Sequence, residues 1–386
     1  MTRILLSAAE VGPDDAAAVA RAVESGWLSP VGPALDRFEA ELAEATGRRH
    51  AVGLSSGTAA LHLGLLALGV RPGDEVWIAT LTFVATANAV VHAGARPVFL
   101  DVDPHTWTID GGLLAEEIDR RLRTGGPMPA AVIPVDLYGR CADLGPAADL
   151  LTEYGIPVLT DAAESLGASV GGRPAGSVGD AAALSFNGNK IITTSGGGAF
   201  VTDDEDAARK VRYLATQARE PVRHYEHVEV GFNHRLSNVL AALGSSQLAT
   251  LERRVARRRA IYDRYVAGFQ DLDGVEVADT LREADMAAGD LPSRWLTCVL
   301  LDPSVHGVHR DDLIDALESH DIESRPVWKP MHLQPVHAEA PVVGGDVAAV
   351  AFDRGVALPS GSGLSDKDIE RVIAAVRAHV LMGPEG

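Results

Sequence analysis

Through the first two-thirds of the chain, short apolar runs alternate with longer segments whose apolar positions recur at helical spacing. The runs at 50–54, 75–79, 97–102, 130–135, 157–161, 181–186 and 198–202 predict strands. Between them, Gly57 to Gly69, Phe83 to Gly94, Asp110 to Leu122 and Asp143 to Gly155 predict helices, several closing on a glycine suited to a C-terminal cap. This alternation predicts an α/β fold with a large, open, mostly parallel sheet. The longest uncharged run, Val76 to Ala95, has the length of a membrane span. Thr80, Thr82, Thr86, Asn88 and His92 punctuate it, and Asp74 and Glu75 abut it, so it predicts a buried strand, a turn and a helix instead.

After about residue 235 the texture changes. Leu236 to Gln270 predicts a long charged helical segment carrying Arg253, Arg254, Arg257, Arg258 and Arg259, a run that on an acidic chain reads as a solvated helix face or an interface edge. A strand at Trp295 to Leu301, a helix at Arg310 to Ser319, an extended stretch at Glu323 to Trp328 and a final helix at Asp366 to Leu381 follow, with a surface loop at Ala340 to Gly345. The pattern therefore predicts a large α/β domain over residues 1–249 and a smaller C-terminal α+β domain over residues 250–386.

Composition narrows the partners. The 386 residues are 46% hydrophobic, enough for a large core, and 53 acidic residues against 34 Lys and Arg give a net charge of −19, which argues against nucleic acid. Two cysteines make no disulfide framework, and the opening residues Met1 to Glu10 turn acidic too soon for a secretory leader. The expected address is the cytoplasm, with no membrane partner. His224 and His227 stand as His-x-x-His without a third ligand in an evident cluster, so no metal is expected.

The run Pro157-Val-Leu-Thr-Asp161-Ala-Ala-Glu164 ends in a carboxylate, and open α/β sheets place ligands outside the carboxyl ends of their strands. Further on, Lys190 stands in Leu184-Ser185-Phe186-Asn187-Gly188-Asn189-Lys190, past another apolar run. Singly, an Asp at a strand end caps the next helix and a Lys is a solvated charge. Together they suit pyridoxal phosphate, which takes a lysine amine as its covalent partner and an acidic residue against its ring nitrogen. Ser55-Ser56-Gly57-Thr58 sits at a strand-to-helix turn, where unpaired N–H groups and the helix dipole favour a phosphate. Ser185 offers another hydroxyl and Phe83 a stacking face. Gly196-Gly-Gly198 lacks a nucleotide-loop pattern and predicts a turn that lets backbone pass close to the lysine.

In their order and spacing these motifs resemble the DegT-type sugar-nucleotide aminotransferases, a family of fold type I, pyridoxal-phosphate-dependent enzymes. The strings are Gly26-Trp-Leu28, Ser56-Gly-Thr58-Ala-Ala-Leu-His62, Asp161-Ala-Ala-Glu164, Ser185 to Lys190 and Gly231-Phe-Asn233-His-Arg235-Leu, and they run nearly end to end. The resemblance implies Lys190 for the internal aldimine, Asp161 for the pyridinium nitrogen, Ser56, Gly57, Thr58 and Ser185 around the phosphate, and Phe83 for stacking. It implies that Asn233 reaches the phosphate of a neighbouring subunit, making a homodimer with shared active sites. Glu164 would approach the cofactor's phenolic oxygen, where many relatives carry Gln. Two anionic oxygens repel unless a proton is shared, so its carboxyl is expected to be protonated or turned away.

Phe186 to Gly198 and Ser324-Arg325-Pro-Val-Trp328-Lys329-Pro-Met-His332 resemble the branch that aminates C4 of a nucleotide-linked 4-keto-6-deoxy-hexose, notably UDP-N-acetyl sugars. Arg325, Lys329 and His332 are donors suited to a diphosphate or sugar hydroxyls, and Trp328 offers a face to a sugar or base. The expected reaction moves an amino group from glutamate to that carbon. The alternative substrates are a dTDP- or GDP-linked keto sugar aminated at C3 or C4, or a keto-cyclitol. Of the other classes, a dehydratase of this family would replace Lys190 with histidine, and a desulfurase would need a loop thiolate that neither Cys141 nor Cys298 is placed to supply. A non-catalytic, cofactor-binding regulator would need a DNA-binding module, which residues 1–25 do not hold.

Overall fold

A computed structural model describes residues 2–383; residues 1 and 384–386, at the outer edges of the two expected domains, lie outside it. Seven strands build the central sheet: β1 (His50–Leu54), β2 (Glu75–Ala79), β3 (Arg96–Leu100), β4 (Ala131–Ile133), β5 (Leu159–Asp161), β6 (Ala181–Ser185) and β7 (Gly198–Thr202). Their spatial order is β1, β7, β6, β5, β4, β2, β3, with β5 joined to β4 through the parallel bridges Val132 to Val158 and Val135 to Asp161. Only β7 runs against its neighbours; the remaining pairs are parallel. Strands covered on both faces read as unbroken apolar runs, and Ala181 to Leu184 is fully buried throughout.

Among the described residues, nine helices accompany the sheet: α1 (Pro13–Glu24), α2 (Pro33–Thr46), α3 (Gly57–Ala67), α4 (Val84–His92), α5 (Gly111–Thr124), α6 (Ala147–Glu153), α7 (Glu205–Ala215), α8 (Asn238–Leu248) and α9 (Leu251–Phe269). Leu35, Phe38, Leu114, Ile118 and Leu151 of α2, α5 and α6 belong to the core on one face. Leu61, Leu63, Val90, Val211 and Leu214 of α3, α4 and α7 belong to the core on the other. Gly64 lets α3 lie hard on the sheet, since a Cβ there would stand 3.0 Å from the Phe200 ring and 3.1 Å from Leu159. The expected run Val76 to Ala95 is β2, a turn and α4, and no helix among the described residues is long and apolar enough to cross a membrane.

Beyond α9 come β8 (Val275–Val277), β9 (Thr297–Leu301), β10 (Arg325–Pro326), β11 (Val342–Val343) and β12 (Gly355–Leu358), with helices α10 (Arg310–Ser319), α11 (Asp346–Arg354) and α12 (Asp366–Met382). Strands β8, β9, β12 and β10 form a second, antiparallel sheet. Its core gathers Tyr265, Val299, Leu313, Val356, Ile369 and Val376. The chain crosses between the two cores at two further places: Ile4 belongs to the second core and donates its N–H to Asp321 O at 2.8 Å, while β11 pairs with β3 at the edge of the central sheet. The expected surface loop at 340–345 thus contains an edge strand, two residues being too few to show an alternation.

The expected helical segment over 236–270 is two helices. The break falls at Thr250, whose hydroxyl donates to Gln247 O at 2.8 Å and accepts from Arg254 Nε at 2.7 Å, a local bonding that competes with helix continuation. Only part of the arginine run is a solvated face: Arg253 is exposed and Arg257 and Arg259 are partly covered. Arg254 and Arg258 are 3% and 1% exposed. Arg258 donates to Trp295 O at 2.6 Å, Ser360 O at 2.8 Å and Ser7 Oγ at 3.2 Å. Arg254 donates to Glu10 O, Arg253 to the Glu10 carboxylate and Arg257 to Leu364 O. A guanidinium carries five donors in a rigid fork, so it can tie together carbonyls from segments that share no sheet. Burial pulls the Arg258 guanidinium down to about 9, with Arg254 adding to the shift. Arg258→Ala strands these buried carbonyls and is expected to lose about 3 kcal/mol of stability, with Arg258→Lys recovering only part; urea unfolding of the three proteins measures it.

Candidate active site

A cleft of about 400 Å³ opens at the carboxyl ends of the parallel strands. Five of the six parallel strand ends deliver something to it: Ser55 to Thr58 follow β1, Thr82 and Phe83 follow β2, Val135 follows β4, and Asp161 and Ser185 close β5 and β6. Because β7 runs the other way, its approach through Gly196 and Gly197 reaches the same edge.

The turn into α3 is built to receive an anion. Ser56 caps the helix, its Oγ accepting Ala59 N–H at 3.0 Å, and the N–H groups of Gly57 and Thr58 that follow have no intrahelical acceptor. Helix N-termini of this kind favour phosphate. A Cβ on Gly198 would lie 2.4 Å from Ser56 C and 2.5 Å from Gly57 N. The close approach supplied by the glycine run is therefore to this turn, where the sequence had suggested the lysine. A Cβ on Gly57 would in turn meet the Ser185 side chain at 3.0 Å. This cradle fits the phosphate of pyridoxal phosphate, and glycine at both positions is what lets its walls pack this closely.

The charged groups sit deeper. Asp161 is buried; its Oδ2 accepts Thr86 Oγ1–H at 2.6 Å and its Oδ1 accepts Ala163 N–H at 3.1 Å. Burial pushes its carboxyl up, against the two hydrogen bonds. Glu164 faces into the cleft: Oε2 accepts Tyr138 N–H at 2.9 Å and Oε1 stands 3.4 Å from Lys190 Nζ. Burial raises the Glu164 carboxyl too, with the lysine pulling it back. Aromatic rings wall the remaining side: Phe83 lies 5.5 Å from Trp328, which stacks on Tyr138 at 5.8 Å, and Trp295 stacks on the same tyrosine at 6.3 Å.

Of the residues singled out from the sequence, Ser56, Gly57, Thr58, Phe83, Asp161, Glu164, Ser185, Lys190 and Trp328 line this one cleft. Arg325, Lys329, His332 and Asn233 do not. The Arg325 guanidinium is turned to Glu323 at 2.9 Å, and His332 Nδ1 shares a hydrogen with Thr80 Oγ1 at 2.6 Å. Asn233 is exposed, bridged to Thr216. The sequence reading had passed over Thr82, Thr86, Tyr138, Asn187, Asn189 and Trp295. Only Thr86 carried a signal, as a hydroxyl in the first turn of α4 just beyond a strand end.

The model of the DegT/DnrJ/EryC1/StrS aminotransferase family matches residues 10–377. The chain belongs to this family. It is 44% identical over 359 residues, 92% of this chain and 90% of the other, to EpsN of Bacillus subtilis, whose assignment as a pyridoxal phosphate-dependent aminotransferase is itself an inference. It is 36% identical over 97% of its length to the GDP-perosamine synthase of Caulobacter vibrioides, of which 98% is covered. Among solved structures, DesI in the presence of its TDP-sugar product superposes with a TM-score of 0.86 at 31% identity, covering 99% of this chain and 95% of that one. The fold is fold type I, and the protein is a pyridoxal-phosphate-dependent sugar aminotransferase. Its two thiols take no evident part: Cys141 and Cys298 are free and buried, and burial pushes both well above the ordinary thiol range. Gly198→Ala is expected to weaken cofactor binding at least about ten-fold by displacing the Ser56–Gly57 backbone. Gly363→Ala, which lies outside the cleft and whose Cβ meets only Glu10 Cγ at 3.9 Å, should bind as the natural protein does; titrating cofactor absorbance on both variants checks the contrast.

Proposed function

We propose that the enzyme moves an amino group from glutamate to the 4-keto carbon of a nucleotide-linked 4-keto-6-deoxy sugar. Its main support is the placement of one residue. The chain has four lysines, Lys190, Lys210, Lys329 and Lys367, and Lys190 alone lines the cleft that also holds Asp161, Glu164 and the open start of α3. When bound, pyridoxal phosphate supplies an electron sink that lets an amino acid lose its α-proton. Lys190 would hold it covalently and, as a free amine, would take and return the proton at the substrate carbon. Asp161, oriented by Thr86 and Ala163, would keep the ring nitrogen protonated, and a cationic ring there would offset the burial that raises its carboxyl. Ser56, Gly57, Thr58 and Ser185 would hold the phosphate, and Phe83 would cover the ring. Glu164 would face the phenolic side, where burial raises its carboxyl and Lys190 pulls it back.

We place GDP first as carrier, because a GDP-perosamine synthase matches along nearly the whole chain. UDP-N-acetyl sugars are the second reading, supported by the strings around Lys190 and Trp328. Trp328 is the ring at the cleft that would meet the sugar; Arg325 precedes it and Lys329 and His332 follow it in the chain, all three outside the cleft wall, and Arg325 would meet a diphosphate reaching past the cleft only once its guanidinium leaves Glu323. Stopped-flow measurement of the separate half-reactions tests the proposal. Glutamate should convert the loaded enzyme to its amine form, a 4-keto sugar on GDP should reverse this faster than its UDP or dTDP counterparts, and Asp161→Asn should slow both halves about 10²- to 10³-fold. Preference for a free keto acid over every nucleotide sugar would contradict it.

The same reading includes a cytoplasmic homodimer with shared sites, in keeping with the two free cysteines. Exposed Asn233 follows Tyr225, Val228 and Val230, of which Val230 is 86% exposed, and Trp27 and Leu28 are half-exposed. Apolar surface of this kind suits an interface. Mixing Lys190→Ala with Asn233→Ala protein should restore part of the activity, because one site of a mixed dimer is intact; mixed dimers as inactive as their parents would contradict sharing.

A further inference from the structure

We infer that Trp295 is a positioning residue for Lys190, its indole face holding the lysine amine in place whenever that amine is free. The inference rests on Lys190 as the attachment point. Lys190 Nζ lies 3.8 Å from the centroid of the Trp295 ring and 3.4 Å from Glu164 Oε1. The amine is thus bracketed by an aromatic face and a carboxyl, and its side chain is only 13% exposed. An ammonium over an indole is attracted by the ring quadrupole, more strongly where water is excluded.

The indole is itself fixed from three directions. Its Nε1–H donates to Asn189 O at 2.8 Å, its own carbonyl accepts from Arg258 at 2.6 Å, and its ring stacks on Tyr138 with an interplanar angle of 21°. Asn189 O also accepts Ser7 Oγ–H at 2.8 Å, and Arg258 donates to that same Ser7 oxygen. Asn189 directly precedes Lys190, so a single side chain holds both the backbone of the lysine loop, through its N–H, and the tip of the lysine, through its face. A free lysine otherwise samples many rotamers. Transamination requires that the displaced amine stay within reach of the substrate carbon, and a rest position on a rigid ring provides this.

The test combines a cofactor-free measurement with a kinetic one. Reductive methylation of the apoprotein with carbon-13 formaldehyde labels the lysines, and the Lys190 signal is identified by its absence in Lys190→Arg. Ring current should shift its methyl resonance upfield of those of Lys329 and Lys367. The shift should vanish in Trp295→Leu and persist in part in Trp295→Phe. In the loaded enzyme, Trp295→Leu should slow the glutamate half-reaction roughly two- to thirty-fold at unchanged glutamate KM and cofactor affinity. Trp295→Phe keeps a face and should recover most of that rate. A Lys190 resonance among those of the exposed lysines in the unsubstituted protein, or natural rates in Trp295→Leu, would overturn the proposal. Equal loss of rate and cofactor affinity in both variants would also overturn it, because it would mark the ring as merely structural. Failure of Lys190 as the attachment point is read separately, as normal cofactor capture by Lys190→Arg.

Discussion

Asp161 is a carboxyl buried at the end of a strand, with two hydrogen bonds and no ion pair among the described residues. Burying such a group unpaired is costly, and the cleft is organised around that placement. Two carboxyls, Asp161 and Glu164, share it with one amine, Lys190, and burial raises both acids. A ligand that brings a ring nitrogen able to hold a proton, a phosphate for the start of α3 and a carbonyl for Lys190 satisfies all three regions at once. Pyridoxal phosphate has those parts, and the family to which the chain belongs uses it.

The sheet makes the placement possible. Parallel strands bring all their carboxyl ends to one edge, so residues from β1, β2, β5 and β6 meet without any long loop having to carry them. The reversed β7 then packs glycine backbone against the phosphate turn, at a separation that no side chain could tolerate. The second core reaches the same cleft from the far side. Arg258 binds the carbonyl of Trp295, whose indole binds the carbonyl of Asn189, one residue short of the lysine. Helix α9 is thereby tied to the loop of the reacting amine by two side chains and two carbonyls.

This separates what could be read from the sequence from what could not. Asp161, Lys190 and the Ser56–Thr58 turn were legible because each lies in a local string whose strand-end position follows from the apolar run beside it. Trp295 was not, because its bond to Asn189 spans 106 residues and nothing in a lone tryptophan at a strand start announces a partner. The arginine run was misread for a related reason: charge along a helix does not say which face is covered, and the carbonyls that bury Arg258 come from residues 295 and 360. Arg325 lies near Trp328 in sequence, yet the backbone turns it to Glu323, away from the cleft. Helices α1 and α2 did carry start signals, a proline at the first turn followed by an acidic residue, but a pattern built on apolar strands passes over them. Strand β11 is too short to signal at all.

Four lysines make the central claim open to direct measurement. Borohydride reduction of the cofactor-loaded enzyme, followed by proteolysis and mass spectrometry, fixes the cofactor on whichever amine holds it. The geometry of the cleft predicts the label on Lys190 alone. A label on Lys210, Lys329 or Lys367 would contradict it.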